Sequence, residues 1–185
     1  PKLPSPLIEV FIVPGLSQDD PADVMRGEET QIAGYLAQNP GFDGVLCLPG
    51  THSKWVRIRN GKVEAFRTYM TGELFSLISR HSVLRLTLDT AHPDAEAARQ
   101  GALDAIADPH APLRELFALR AGALLHDLTP EQAAGRLSGL MIGAELGATR
   151  SLWHAHKTII IGAPALTALY QTPLQAVGAD AARMD

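Results

Sequence analysis

The sequence predicts a mixed α/β chain, and three observations carry that reading. Val45-Leu46-Cys47-Leu48 is a short, fully apolar run closed by Pro49-Gly50, as expected of a strand covered on both faces and stopped by a turn. Trp55 to Arg59 and Lys62 to Met70 are alternating segments joined by Asn60-Gly61, the strongest short-range signal for a two-residue hairpin. Around this meander lie stretches with apolar residues at helical spacing. The clearest opens with Thr129-Pro130-Glu131-Gln132, a capping box with proline at the first helical position.

Taken in order, Pro1 to Pro6 is a proline-punctuated lead-in, and Leu7 to Val13 is an apolar run of strand length stopped by Pro14-Gly15. Leu16 to Asp23 reads as a polar loop in which Asp19, Asp20 and Asp23 are solvated acids. Ile32, Ala33, Tyr35 and Leu36 then recur at helical spacing, which places a helix over about Glu28 to Gln38 with both glutamates of Glu28-Glu29 in its first turn. After the meander, Thr71-Gly72-Glu73 opens a second helix with Leu74, Leu77 and Ile78 on one face.

From Leu84 to about Leu128 there is no strand signal, and Pro93 and Pro112 each start a helix, so this stretch is a helical excursion. The capped helix that follows runs to about Arg150 with Leu137, Leu140, Met141 and Ala144 inward. Gly139, Gly143 and Gly147 form a smooth strip on it, suited to tight helix packing and, as the second reading, to a flat ligand. Lys157 to Ile161 is a buried strand, Gly162-Ala163-Pro164 a turn, and Ala165 to about Gln171 a helix. Strand, glycine turn and helix N-terminus together make a seat for part of a nucleotide.

At 185 residues, 46% apolar and 19% charged, the chain suits one sizeable core or two small ones. A net charge of −4 argues against nucleic acid as the main partner. The one cysteine, Cys47, has no internal disulfide partner, which points to a cytoplasmic setting. The best apolar stretch, Ile159 to Tyr170, is broken by Gly162 and Pro164, so no membrane span is expected, and no signal peptide is visible. Opening on Pro1 and closing on Asp185 directly after a helix-like segment, the chain reads as cut at both ends.

Chemistry concentrates at the corner after the apolar run. Gly50, Thr51, His52, Ser53 and Lys54 combine a glycine that lets backbone N–H groups approach, two hydroxyls, an imidazole and an ammonium, which together make an anion cradle. Glu28 and Glu29 interact favourably with the helix macrodipole, a sufficient structural reason for both; the functional alternative is a carboxylate that accepts a hydroxyl proton during phosphoryl transfer. Arg26 beside them suits an anionic substrate group. The P-loop, the glycine fingerprint of dinucleotide folds and the serine elbow are absent. His154-x-His156 lacks carboxylate or cysteine partners, so no protein metal site is expected.

MRGEETQ at Met25 to Gln31, LPGTHSKW at Leu48 to Trp55, FRTYMTGEL at Phe66 to Leu74, SGLMIGAE at Ser138 to Glu145 and IGAPALTALYQ from Ile161 together resemble the 2-dehydro-3-deoxygalactonokinase family. That resemblance implies the actin, hexokinase and Hsp70 superfamily, two ribonuclease H-like domains hinged around ATP. It implies phosphorylation of the 6-hydroxyl of 2-dehydro-3-deoxy-D-galactonate by ATP with magnesium. Carried over, it makes Gly50 to Lys54 the second phosphate loop and puts Gly162 and Ala163 at the adenosine motif. Glu29 or Glu28 becomes the general base, and Arg26, Thr68 and Thr71 become sugar-side residues. The superfamily's first phosphate loop, Asp-x-Gly-x-Thr, has no counterpart in the sequence. The implied organisation is therefore a fragment: residues 1–40 as the tail of a first kinase domain and 41–185 as the second domain, with a helical insert at about 84–128. The implied partners are ATP and the sugar acid, with a homodimer admitted. A non-catalytic binding module of the same fold is the alternative, favoured by the missing loop. A hydrolase using Glu28 and Glu29 is a third reading, weakened because nothing pairs with them at useful spacing.

Overall fold

The computed structural model describes residues 2–3 and 8–184. Its centre is a five-stranded sheet built from β5 (Gly44–Leu48), β6 (Ser53–Arg59), β7 (Lys62–Tyr69), β8 (Thr158–Ile160) and β9 (Ala181–Arg183). The strand order is β7-β6-β5-β8-β9; β7, β6 and β5 run antiparallel, and β8 and β9 continue the sheet parallel to β5. The expected meander is present, with Asn60 and Gly61 both at left-handed φ (51° and 68°), as a two-residue hairpin requires.

Strand β5 explains why its sequence is apolar without alternation. Val45 and Cys47 face one core with Trp55, Ile160, Leu146, Trp153 and Tyr170, whereas Leu46 and Leu48 face the other with Val56, Ile58, Ile159, Ile32 and Tyr35. Successive strand residues point to opposite faces, so a strand sandwiched between helices must be apolar at every position. One cover is α1 (Glu28–Gln38). The other is formed by α5 (Pro130–Ala148), α6 (Arg150–Trp153) and α7 (Pro164–Ala176).

The predicted helices at 28–38 and from Thr71 are observed, the second as α2 (Thr71–His81), and the excursion holds a 3-10 turn (Val83–Leu86), α3 (Ala95–Ala107) and α4 (Ala111–Leu125). The capping box is fully formed: the Thr129 side chain accepts from the Gln132 backbone, and the Gln132 side chain accepts in return. The glycine strip serves packing. A Cβ on Gly139 or Gly143 would overlap the Ala98 or Ala102 carbonyl of α3, so the two helices approach closely only because those positions are bare.

Four expectations need correction. Leu16 to Asp23 is not a loop but most of a hairpin, β3 (Leu16–Asp19) and β4 (Ala22–Met25), because Leu16 and Met25 pack into the core beneath α1. The run from Leu7 to Val13 yields only β2 (Val10–Phe11), paired with β1 (Lys2–Leu3); Leu7 lies outside the described residues, and Ile8, Phe11 and Val13 are exposed rather than packed on a layer. The last helix extends beyond Gln171 to Ala176, carrying Pro173 within it. After it comes β9, whose Ala-Ala-Arg composition carries no strand signal and which forms because β8 offers a parallel edge. No helix among the described residues is long and apolar enough to cross a membrane.

Candidate functional site

The carboxyl ends of the parallel neighbours β5 and β8 lie side by side, and the turns that leave them build the site. A Cβ on Gly162, which follows β8, would stand 3.6 Å from the Pro49 carbonyl oxygen, so the predicted phosphate corner and the predicted adenosine turn are adjacent. Ala163 caps the start of α7. Ligands of α/β sheets collect at this edge, where loops and helix N-termini converge.

The corner is tied to α2. Glu73 N–H donates to the Thr51 carbonyl (3.0 Å), His52 and Glu73 side chains meet at 2.5 Å, and a Cβ on Gly72 would overlap the Gly50 carbonyl. Thr51 and His52 are exposed, whereas Ser53 and Lys54 already belong to β6 and are buried, which corrects their placement in an open loop. Ser53 Oγ lies 3.0 Å from the Tyr170 hydroxyl. Lys54 is held as a directed charge, its Nζ 3.4 Å from the His52 carbonyl and 3.5 Å from Glu28 Oε1.

Glu28 and Glu29 both fold back over the helix start. Glu28 Oε2 accepts from Arg26 N–H at 3.2 Å, just ahead of the helix, and Glu29 Oε2 from the N-cap Gly27 N–H at 2.6 Å, so both carboxylates are tied to the chain entering α1. Glu28 in addition faces Lys54, which brings one of the two predicted acids to the cradle; Glu29 makes no such contact. Arg26 is exposed.

The two predicted threonines are committed inside the protein. Thr68 hydroxyl donates to Asp23 Oδ1 at 2.6 Å and its N–H donates to Asp23 Oδ2 at 2.7 Å, so Asp23 is not the solvated acid expected of a loop; it pins the β3–β4 hairpin onto β7. Thr71 is buried and its hydroxyl donates to Glu145. Each hydroxyl keeps a lone pair for accepting, but its proton is taken.

Glu145 is the residue that sequence reasoning missed. It is 2% exposed and accepts from Trp55 Nε1 (2.7 Å), Tyr170 OH (3.0 Å) and Thr71. Burial raises its carboxyl above the ordinary carboxylate range, against the opposing pull of those hydrogen bonds. Burial, reinforced by the nearby Glu145 charge, pushes the Tyr170 hydroxyl well up. The available signal was a lone acid among the inward positions of a helix, since charged residues are almost never fully buried without partners.

Above Glu145 lies a cavity of about 230 Å³. Gly50, Thr71 and Tyr170 line its polar side, and Phe75, Met141 and Leu166 supply apolar walls. This mostly apolar slot opens beside the Gly50 corner, so apolar and hydrogen-bonding groups meet in one small-molecule-sized cavity.

Residues 3–185 match the family model described as 2-keto-3-deoxy-galactonokinase. The chain belongs to this family. It is 40% identical over 185 residues to a protein of Rhizobium meliloti (strain 1021) named as a probable 2-dehydro-3-deoxygalactonokinase, covering 96% of this chain and 60% of that one. It is 41% identical over 174 residues to the 2-dehydro-3-deoxygalactonokinase of Escherichia coli (strain K12), covering 92% and 59%. A crystal structure from Sinorhizobium meliloti, assigned to a 2-dehydro-3-deoxygalactonokinase, superposes with a TM-score of 0.87 at 35% identity over 100% of this chain and 64% of that chain. The galactonokinase-family chain therefore spans about 60% of the length of its relatives.

Proposed function

We propose that this chain forms part of an ATP-dependent sugar-acid kinase that phosphorylates the 6-hydroxyl of 2-dehydro-3-deoxy-D-galactonate. The observation that carries the reading is the approach of Lys54 Nζ to Glu28 Oε1, which sets an ammonium for phosphate beside a carboxylate for a sugar hydroxyl. Phosphoryl transfer asks for positioning and charge neutralisation, plus one acid to take the hydroxyl proton.

In this reading Gly50, Thr51, His52 and Lys54 hold phosphate, Ser53 and Thr71 fix the walls, and Gly162-Ala163 with the slot above Glu145 receives the adenosine. Glu28 is the first candidate base and Glu29 the second. Arg26 and the hairpin-bound Thr68 lie on the sugar side. ATP suits the slot and corner by shape and charge. Among the described residues there is no group of three or more histidine, cysteine, aspartate or glutamate side chains able to hold a metal. In this reading magnesium comes with the nucleotide phosphates, needing few protein ligands of its own.

The mixed sheet covered by helices on both faces supports a ribonuclease H-like domain of the actin-type fold for 41–185, with 84–128 as the insert and 1–40 leading in from the first domain. A cytoplasmic enzyme fits the unpaired, buried Cys47. The reading is tested by coupling ADP release to the keto-deoxy sugar acid, for this chain and for a form extended to the length of its relatives. Sugar-dependent turnover in the longer form supports it. Nucleotide binding without turnover in either form supports the binding module instead.

A further inference from the structure

We propose that Glu145 is a positioning residue that sets the walls of the nucleotide slot without touching its occupant, an inference that rests on the kinase reading above. Its two oxygens are shared among donors from three separate elements, two of which line the slot. Trp55 stands on β6 immediately after the buried end of the phosphate corner, Thr71 begins the helix against which that corner packs, and Tyr170 lies on the helix that follows the adenosine turn. Thr71 and Tyr170 both line the slot and both reach Glu145 from it. Ser53 joins the chain through Tyr170, and Ser53 precedes Lys54. Glu145's own helix also lines the slot, through Ser138, Met141 and Ile142, so a single helix carries part of the lining and the anchor of Thr71 and Tyr170.

A buried carboxylate is costly unless its oxygens are saturated, and once saturated it fixes the direction of every donor. Among the described residues Glu145 has no ion-pair partner; neutral hydroxyl and indole donors satisfy it. Glutamine is nearly isosteric, but its amide presents two hydrogens where the carboxylate presents lone pairs, so at least one wall donor must turn away.

The test uses the full-length protein that contains this chain, with Glu145→Gln, reading ATP affinity by calorimetry in the presence of magnesium and the indole N–H resonances of Trp55 and Trp153 by NMR. Trp55 donates to Glu145 and Trp153 to the Leu146 carbonyl, so the two report on the anchor and on its surroundings. The expected result is a displaced Trp55 resonance, an unmoved Trp153 resonance and an ATP affinity weakened about tenfold or more, the size of losing a hydrogen bond to a charged group. A second variant, Thr71→Val, removes one wall donor and should weaken ATP in the same direction if Glu145→Gln does not fold. Ile58→Ala, in the apolar cluster on the opposite face of the sheet with Val56 and Ile32, lowers Tm and should leave ATP affinity within about twofold. Equal ATP affinity in wild type and Glu145→Gln with a displaced Trp55 resonance overturns the proposal. So does an equal loss in Ile58→Ala, which would make the effect one of stability. A wild-type protein that binds no ATP overturns the kinase reading itself, and is told apart because no variant is then needed to see it.

Discussion

Helix α5 carries two polar clusters, one towards each end, and they are built on opposite rules. Arg136, near the start, pairs with Asp104 of α3 at 2.5 Å and with Glu115 of α4, and its side chain remains 24% exposed. Glu145, near the end, has almost no exposure and neutral donors only. Where water still reaches, opposite charges clip α3 and α4 to α5, their hydrogen bonds outweighing the desolvation of Asp104 and Arg136 for a modest gain. Where the helix passes beneath the slot, a buried carboxyl is surrounded by uncharged hydroxyls and an indole, and it is their directions that matter. The contrast separates a cluster that holds helices together from one that holds a cavity open in a fixed shape.

The largest effects should come from the cleft beside the second cluster. In the full-length protein, Glu28→Gln should lower kcat by about 10²- to 10⁴-fold while ATP affinity stays nearly constant, the loss typical of a general base. A greater loss from Glu29→Gln would show that contact with Lys54 does not mark the base. Next, Lys54→Ala should weaken ATP binding by about tenfold to a hundredfold, since on the proposed reading it removes a desolvated charge that meets phosphate. Unaltered affinity by calorimetry would make Lys54 a scaffold residue, like Arg136.

At the first cluster the changes should appear in stability alone. Gly139→Ala forces a methyl into the Ala98 carbonyl of the adjoining helix and should cost about 1–3 kcal/mol, read by chemical denaturation, with ATP affinity preserved. The smallest effects are those of pH, and their signs differ between the clusters. The Glu145 carboxyl is raised chiefly by desolvation, so its contribution to stability is fully present below its ordinary value of 4.5 and is lost as pH rises through the raised value. Asp104 is desolvated too, but hydrogen bonds from Arg136 and Gln100 outweigh that and lower it, so its contribution is present above 3.8 and is lost as pH falls through the lowered value. Denaturation curves between about pH 3 and pH 8 should therefore lose their alkaline-side decline in Glu145→Gln and their acid-side decline in Asp104→Asn. Matching pH profiles in the two variants would erase the distinction.

Much of the architecture was legible because local chemistry and tertiary demand agree. Asn60-Gly61 supplies the two left-handed residues a tight hairpin needs, Thr129 and Gln132 satisfy each other's backbone, and β5 is apolar at each position because both its faces are covered. The hairpin from Leu16 to Met25 was obscured by its acids, since Asp23 is polar for a partner, Thr68, that lies 45 residues away. Strand β9 was invisible because three residues with weak propensity pair only when an edge is presented to them.

The site divides along the same line. The cradle from Gly50 to Lys54 and the acids of α1 were readable as residue types suited to phosphate and proton transfer. Glu145 was not, since in one dimension it is a single acid in a helix, and neither the threonine on α2 nor the tyrosine on α7 announces where its hydroxyl will point. By itself the sequence determined the meander, most helices, their caps and turns, and the short motifs, because those depend on contacts within a few residues. Only the tertiary structure decided which side chains are buried together, since a hydrogen bond between Trp55 and a carboxylate 90 residues further on is set by how helices and sheet close over the core.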